Sequence, residues 1–170
     1  ADAATYADAG DYTNALRTLS GGLNKYPEDA ELTAKQTEYT EALAAKNKQD
    51  ALDQAAQYAA AGDYKSALET VQEAQKLLGS DADFLQKTAE YTESYKSAAL
   101  ETAAQYEKTS DYLNAYKTIQ TAMDLVGSDS SLNVKLSLYA QNYASAVAAQ
   151  ADEKIAAKDF AGARTLLTNA

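Results

Sequence analysis

The 170-residue sequence contains no cysteine, no histidine and no tryptophan, and it has a single proline. The absence of cysteine and histidine excludes disulfides, thiolate or imidazole metal sites, and Ser–His or Cys–His catalytic pairs. The sequence also lacks the run of about 18 apolar residues that a membrane-spanning helix needs, so we expect no membrane insertion. A domain of this length can bury a core without metals or cross-links.

Positive charge is scarce, because 15 Lys and Arg stand against 25 Asp and Glu and leave a net charge of −10. An acidic surface repels both the phosphate backbone of nucleic acids and anionic lipids, so we expect neither as a partner. By contrast, hydrophobic residues make up 46% of the chain and there are 13 tyrosines. This composition predicts an acidic, alanine-rich helical protein.

The first residues, Ala1–Tyr6, are acidic and lack the basic start and apolar core of a signal peptide. Because the chain begins with Ala, we expect that a leader has been removed or that the segment belongs to a longer protein. The absence of cysteine is compatible with export without requiring it. We favour an extracellular or cell-envelope location over a cytoplasmic one.

A short motif that ends in an acidic and an aromatic residue recurs four times. The copies are Gly10-Asp11-Tyr12, Gly62-Asp63-Tyr64, Ser110-Asp111-Tyr112 and Lys158-Asp159-Phe160. Their aromatic residues are separated by 52, 48 and 48 positions. Other residues keep this spacing: Ala15, Ala67, Ala115 and Ala163 follow the motifs, as do Tyr39, Tyr91 and Tyr139. The spacing predicts one helical-repeat domain over residues 1–170, with units at about 1–26, 27–78, 79–126 and 127–170.

Each unit is predicted to contain one long and one short helix, because apolar residues recur at three- and four-residue spacing. The motif aspartate is placed to cap the short helix. Gly79 is expected to end one in the left-handed conformation, and Ser80 with Asp83 to cap the next long helix. The predicted short helices are 12–25, 64–78, 112–126 and 160–170; the long ones are 29–61, 82–109 and 130–157, and residues 1–9 are the tail of another.

The long helices are predicted to be continuous. Neither glycine nor proline occurs from Asp83 to Lys108, so we expect no break near Ser94–Ala98. Four extra residues between Leu43 and Leu52 add about one helical turn, which keeps the buried face nearly in register. The predicted buried stripe of the middle long helix comprises Phe84, Thr88, Tyr91, Tyr95, Ala98, Thr102 and Tyr106.

The segment Gly62–Leu68 resembles the turn and second-helix start of a tetratricopeptide repeat, as do Gly10–Leu16 and, more loosely, Lys158–Ala163. The family has a period near 34 residues, so this chain would be a variant with units of about 48 residues and lengthened first helices. The resemblance implies an all-α, tetratricopeptide-like right-handed solenoid of alternating long and short antiparallel helices. It also implies protein–protein binding on a helix-lined surface. The Tyr-, Thr- and Asp-rich character is similar to helical-repeat ectodomains of bacterial envelope proteins.

The sequence gives no sign of a catalytic, metal-binding or phosphate-binding motif. The EF-hand spacing, a glycine-rich phosphate loop and paired carboxylates facing a cleft are all missing. We therefore predict no enzyme, no cofactor, and no catalytic, cofactor-binding or metal residue, and the ligand-binding residues cannot be named. The recurring tyrosines are interpreted as packing residues, whereas Tyr26 and Tyr116 lie outside the pattern and suit gap filling or ligand contact equally.

Two functions remain open. The preferred one is a non-enzymatic interaction or scaffold module with a protein or peptide partner. The alternative is a rigid spacer domain of a bacterial cell-surface or envelope protein that has no ligand of its own. An exposed apolar patch on the outward face of the long helices would favour a binder. The outward positions of the middle long helix are polar, as a spacer requires: Gln86, Glu90, Glu93, Ser97 and Glu101.

Overall fold

A computed structural model describes residues 2–169, and all regular structure in that range is α-helical. In chain order the helices are α1 (Ala3–Asp8), α2 (Tyr12–Leu23), α3 (Ala30–Ala60), α4 (Tyr64–Leu78), α5 (Ala82–Lys108), α6 (Tyr112–Val126), α7 (Ser130–Ala156) and α8 (Phe160–Asn169). The alternation of long and short helices is confirmed, and predicted bounds differ from observed ones by at most two residues. The predicted starts and ends at positions 1 and 170 lie outside the described residues.

Both long helices whose continuity was in question are unbroken. Helix α3 continues through the four-residue insertion, and α5 continues through Ser94–Ala98. Within residues 2–169, none of the helices has the length and apolar character to cross a lipid bilayer.

The chain divides into two compact units, Ala1–Thr88 and Ala89–Ala170. In the first unit α2 packs on α1 and α3, and α3 packs on α4. In the second unit α7 packs on both α6 and α8. Consecutive helices therefore pack together, as the repeat pattern predicts.

Pairs of small residues bring the long and short helices close together. The recurring alanines after the motif, Ala15, Ala67, Ala115 and Ala163, are 0–4% exposed. A second set, on α1 and the long helices, keeps the same spacing and is 0–9% exposed: Ala3, Ala55, Ala103 and Ala151. Ala3 lies in one core cluster with Ala15, and Ala103 lies in another with Ala115. Alanine at both positions lets the two helix backbones approach closely.

The motif forms the same turn in all four copies. The residue before each aspartate has a positive φ: +72° at Gly10, +79° at Gly62, +57° at Ser110 and +64° at Lys158. The backbone N–H of the aspartate then donates to a carbonyl five residues earlier, as Asp63 does to Tyr58 at 2.9 Å. This geometry is a Schellman motif, which satisfies the last carbonyls of the preceding helix.

The turn after α4 corrects two predictions. Gly79 has φ +87° and ψ 164°, which lies outside the left-handed helical region and is accessible essentially to glycine alone. Ser80 does not cap α5, because Oδ1 of Asp81 accepts from the backbone N–H groups of Asp83 and Phe84, both at 3.0 Å. The N-cap residue is therefore Asp81, one residue later than the predicted Ser80, and its capping group is a carboxylate instead of a hydroxyl.

The predicted stripe of α5 is correct in its first half and wrong in its second. Phe84 and Tyr91 are buried, but farther on Ala99 and Ala103 are buried while Tyr106 is 37% exposed. Thr102 is exposed as well. The C-terminal half of α5 turns its small residues toward Ala115 and Ile119 of α6, so the stripe follows alanines there and not the larger side chains.

Enlarging a short-helix alanine should destabilise the fold, whereas a polar residue of similar size should not. Ala67 is fully buried, so Ala67→Leu is expected to lower the free energy of unfolding by about 1–3 kcal/mol through overpacking. Ala67→Ser is the control and should unfold close to the wild-type temperature in thermal circular dichroism. Equal melting temperatures for the two variants would contradict the close approach of the helices.

Ser110 and Lys158 occupy a backbone conformation that side chains disfavour, and replacing either with glycine should stabilise the chain. We expect Ser110→Gly to raise the free energy of unfolding by about 0.5–1 kcal/mol, measured by chemical denaturation. The matched control is Gly62→Ala, since a Cβ there meets nothing within 4 Å and only the backbone is affected. That variant should lose about 1 kcal/mol. A destabilised Ser110→Gly variant would be the contrary result.

Candidate functional site

The motif aspartates are helix caps. Asp63 Oδ1 accepts from the backbone N–H of Ser66 at 3.1 Å, and Asp11, Asp111 and Asp159 accept in the same way. The hydrogen bonds from Ser66 hold the pKa of the Asp63 carboxyl below its usual value. In the described part of the chain, no group of three or more acidic residues is placed to hold a metal ion. These carboxylates act on the helix ends.

An ion pair recurs in successive repeats. Nζ of Lys48, in α3, lies 2.5 Å from the Asp81 carboxylate. Nζ of Lys96, in α5, lies 2.7 Å from the Asp129 carboxylate. The two lysines are 48 positions apart, and so are the two aspartates. In each case a long helix is joined to the N-cap of the next long helix, so the pair aligns one repeat on the other.

This ion pair also locates the insertion in the first unit. Leu43 matches Tyr95 at a spacing of 52, whereas Lys48 matches Lys96 at a spacing of 48. The four extra residues are therefore 44–47. Because they add about one turn inside α3, Lys48 still reaches the next helix.

A second lysine recurs on the long helices, four residues before each core tyrosine. Lys35, Lys87 and Lys135 precede Tyr39, Tyr91 and Tyr139. Nζ of Lys35 lies 5.7 Å from the Tyr39 ring centroid, and that of Lys135 lies 5.3 Å from the Tyr139 ring centroid. The alkyl stems and ammonium groups thus cover the buried rings at the surface.

In the second unit this lysine and tyrosine converge on a carboxylate. The Tyr139 hydroxyl donates to Glu107 at 2.8 Å, and Lys135 donates to the same oxygen at 3.3 Å. The tyrosine hydrogen bond holds the pKa of Glu107 below its usual value, and burial raises the pKa of Tyr139. The other repeats have Ala7, Ala59 and Ile155 at the position of Glu107. The group is therefore a feature of one repeat and not a site built into all of them.

The depressions on the first unit are shallow. One, of about 310 Å³, is lined by Tyr12, Lys35 and Tyr39 among others. Its cation is already paired, since Lys35 lies 2.7 Å from Glu38. Apart from tyrosines such as Tyr139, the described residues contain no buried polar or charged side chain.

The outward face of the long helices, where the sequence places any binding surface, differs between α5 and α7. All five polar positions predicted for α5, from Gln86 to Glu101, are exposed. On α7, Val134 and Leu138 occupy the repeat positions of Gln86 and Glu90. Their exposed fractions are 68% and 36%. One long helix therefore presents an apolar pair where the preceding one is polar.

The two tyrosines outside the pattern have different environments. Tyr26 is 65% exposed, next to the turn between α2 and α3. Tyr116 is half-buried and packs against the core of the second unit, so it fills a gap. The recurring Tyr39, Tyr91 and Tyr139 are 0–6% exposed and pack as predicted.

Comparison with protein-family models, with curated proteins and with solved structures finds no match to this chain. The functional interpretation therefore depends on the surface of the molecule.

Sequence reasoning missed several of these residues. Lys48 and Lys96, the lysines of the tyrosine pairs and the alanines of the long helices all repeat at the spacing of the motif, so alignment of the repeats would have found them. Val134 and Leu138 would be found in the same alignment for the opposite reason, because their residue type differs from that of their repeat equivalents.

The pairing of Asp129 predicts acid sensitivity. Lys96 and Ser131 hold the pKa of the Asp129 carboxyl far below its ordinary value of about 4. A lowered folded-state pKa adds stability above the unfolded-state pKa, and that stability is lost as the pH falls through the acid range. We expect the wild type to lose more unfolding free energy between pH 5 and pH 3 than Asp129→Asn, in urea titrations at each pH.

Asp152→Asn is the charge-matched control, since the exposed Asp152 carboxylate has no ion pair among the described residues. It should reduce the acid dependence less than Asp129→Asn does. Identical pH profiles for the wild type and Asp129→Asn would show that the Lys96 pair contributes nothing to stability.

Proposed function

We propose that this chain is a non-enzymatic, tetratricopeptide-like interaction or scaffold module, and that it binds a protein or peptide on the outer face of α7. The observation that supports this is the exposure of Val134 and Leu138 on one face of that helix. Residues four apart on a helix are neighbours, so the two side chains form one apolar contact surface.

The surroundings of the pair suit a binding surface. Exposed polar residues follow it along α7, at Gln141 and Ser145. A small apolar centre with a polar rim is the usual composition of protein interfaces. The comparison within the molecule strengthens the argument, because the same positions carry Gln86 and Glu90 on α5.

The second candidate is a rigid spacer in a bacterial cell-surface or envelope protein. It is favoured by the outward surface of α3, which carries an ion pair within the helix, and by the exposed polar outward positions of α5. In α3, Lys46 pairs with Asp50 at 2.6 Å, and both side chains are about half exposed. Such charged faces keep a helix solvated and need no partner.

We propose no catalytic role. Among the described residues no charged side chain is buried. The group in which Lys135 and Tyr139 converge on Glu107 is closed by hydrogen bonds among its own members, whereas acid–base catalysis needs two groups that converge on a substrate atom.

Site-specific photo-crosslinking tests the interaction. A photoreactive phenylalanine analogue at position 134 should yield a discrete adduct with a partner protein in cells that naturally produce this chain. The same analogue at position 86 is the matched control, because it occupies the equivalent position on α5. It should yield no adduct.

A further substitution shows whether the adduct is specific. Leu138→Glu places a charge beside the crosslinker and should reduce the adduct at least about tenfold, while the circular dichroism spectrum stays unchanged. No adduct from position 134, or equal adducts from positions 134 and 86, would contradict binding on the α7 outer face and favour the spacer.

A further inference from the structure

The buried Tyr39 carries a hydroxyl that makes no hydrogen bond within the part of the chain that the structure describes. The residue is 6% exposed and lines the depression of about 310 Å³ on the first unit. Every fully covered polar side-chain atom of the described residues has a partner, so this hydroxyl oxygen is reached from the open side of the depression. Because a buried phenol ordinarily binds a partner at its hydroxyl, this group is available to a ligand.

The second unit shows which partner suits this hydroxyl. Tyr139 and Lys135 are the repeat equivalents of Tyr39 and Lys35. Both donate to one carboxylate oxygen of Glu107, at 2.8 Å from the hydroxyl and 3.3 Å from the ammonium group. The same two donors are present in the first unit, where they line the depression together. Their arrangement therefore suits a carboxylate there as well.

The first unit does not supply this carboxylate itself, because Ala7 stands at the position of Glu107. Ala7 lines the depression, as do Ala4, Ala42 and the ring of Tyr12. A methyl group leaves room that the longer side chain takes up in the second unit. The volume lies at the lower end of the usual range for small-molecule sites, about 300–1,000 Å³, and mainly apolar walls with a few polar groups are typical of such sites.

The access of solvent to this place does not depend on where the sequence begins. In the second unit the complete long helix α5 and the preceding repeat are both present. The side chains of Glu107 and Lys135 are nevertheless 35% and 36% exposed. Helices that come earlier in the chain therefore do not cover the equivalent place in the second unit, and the depression in the first unit is formed by α1, α2 and α3.

The charges around the depression differ from those in the second unit. Asp8 stands at the position of Lys108 and Glu38 at that of Leu138, and both acidic residues line the depression. Asp8 is exposed and has no ion pair within residues 2–169. Glu38 lies 2.7 Å from Lys35, in an exposed pair of a kind that contributes little and that a ligand can share. A ligand that brings a carboxylate should therefore also bring a positive group for the two acids.

We propose that the depression beside Tyr39 binds a free amino acid. The ligand carboxylate accepts from the Tyr39 hydroxyl and from Lys35, as the Glu107 carboxylate accepts from their equivalents, and the ligand ammonium group is placed toward Asp8 and Glu38. A free amino acid carries both charges on neighbouring atoms, whereas each end of a protein chain carries only one of them. This site is separate from the outer face of α7, so it and the proposed interaction function can fail independently.

Three small probes separate the two charges of such a ligand. Glycine carries both groups, acetate carries the carboxylate alone, and methylammonium carries the ammonium group alone. We would add each probe to the isotope-labelled intact chain at neutral pH and constant ionic strength, and follow the backbone amide resonances of Lys35 and Tyr39 by NMR. Glycine should cause saturable shifts, with a dissociation constant at least about tenfold lower than that of acetate or methylammonium.

Single substitutions test the two ends of the ligand. Tyr39→Phe removes the hydroxyl and keeps the ring, so it should weaken glycine binding at least about tenfold. Tyr139→Phe is the matched control, because that hydroxyl already donates to Glu107, and it should leave the glycine shifts in the first unit unchanged. Asp8→Asn should remove the preference for glycine over acetate.

A substitution that supplies the carboxylate from the chain gives a second measurement that needs no ligand. Ala7→Glu places the side chain of the second unit at the equivalent position, so it should abolish the glycine shifts. It should also make stability depend on the Tyr39 hydroxyl. Tyr39→Phe is expected to lower the melting temperature by about 2–4 °C more in the Ala7→Glu background than in the wild type.

Each outcome supports or overturns the site. Glycine shifts that Tyr39→Phe weakens and Ala7→Glu abolishes support it. Acetate binding as tight as that of glycine overturns the amino acid as the ligand, and methylammonium binding as tight as that of glycine overturns recognition of the carboxylate. No saturable shift with glycine, or glycine shifts that both variants leave unchanged, overturns the site as a whole. Crosslinking at position 134 is independent of all these results.

Discussion

The close approach of a long and a short helix at paired alanines is the contact on which the rest of the structure depends. Ala103 and Ala115 in the second unit, and Ala3 and Ala15 in the first, share a core cluster. Helix backbones that pack over such small side chains lie near the short end of the usual interaxial range, about 8 Å. That spacing brings the larger residues, such as Ile119, into contact with the next long helix. The paired alanines set the distance between the helices, and the aspartate caps and the Lys–Asp pairs stabilise the helix ends.

Most of the fold could be predicted from the sequence because its turns are specified locally. A residue of positive φ followed by a capping aspartate ends one helix and starts the next, and Gly62-Asp63 carries both signals within two residues. The errors occurred where two local signals competed or where a helix changed partner. Asp81 outcompetes Ser80 as the cap because a carboxylate accepts backbone hydrogen bonds more strongly. The α5 stripe shifts to Ala99 and Ala103 because α6 lies against that half.

The exposed apolar residues were less predictable than the fold, because a sequence pattern does not show whether a neighbouring helix covers an apolar side chain. Leu167 follows the same helical pattern as Ile119, and the sequence assigns both to a core. Only the structure shows that Ile119 is 0% and Leu167 55% exposed. Val134 likewise belongs to an amphipathic helix by sequence, and its outward position becomes evident only once Leu132 and Tyr139 are seen to occupy the buried side.

Comparison of equivalent positions in the repeats therefore distinguishes residues that the packing of the helices requires from residues that it does not require. Positions that keep their residue type in every repeat, such as the paired alanines and the core tyrosines, are explained by contacts between helices. Positions that change are not required by the repeat, as with Glu107 against Ile155 and Gln86 against Val134. Both of those changes place an apolar side chain where the earlier repeat is charged or polar, and both leave it exposed. The exposed pair on α7 is the change to which the proposed binding function assigns a contact outside these helices.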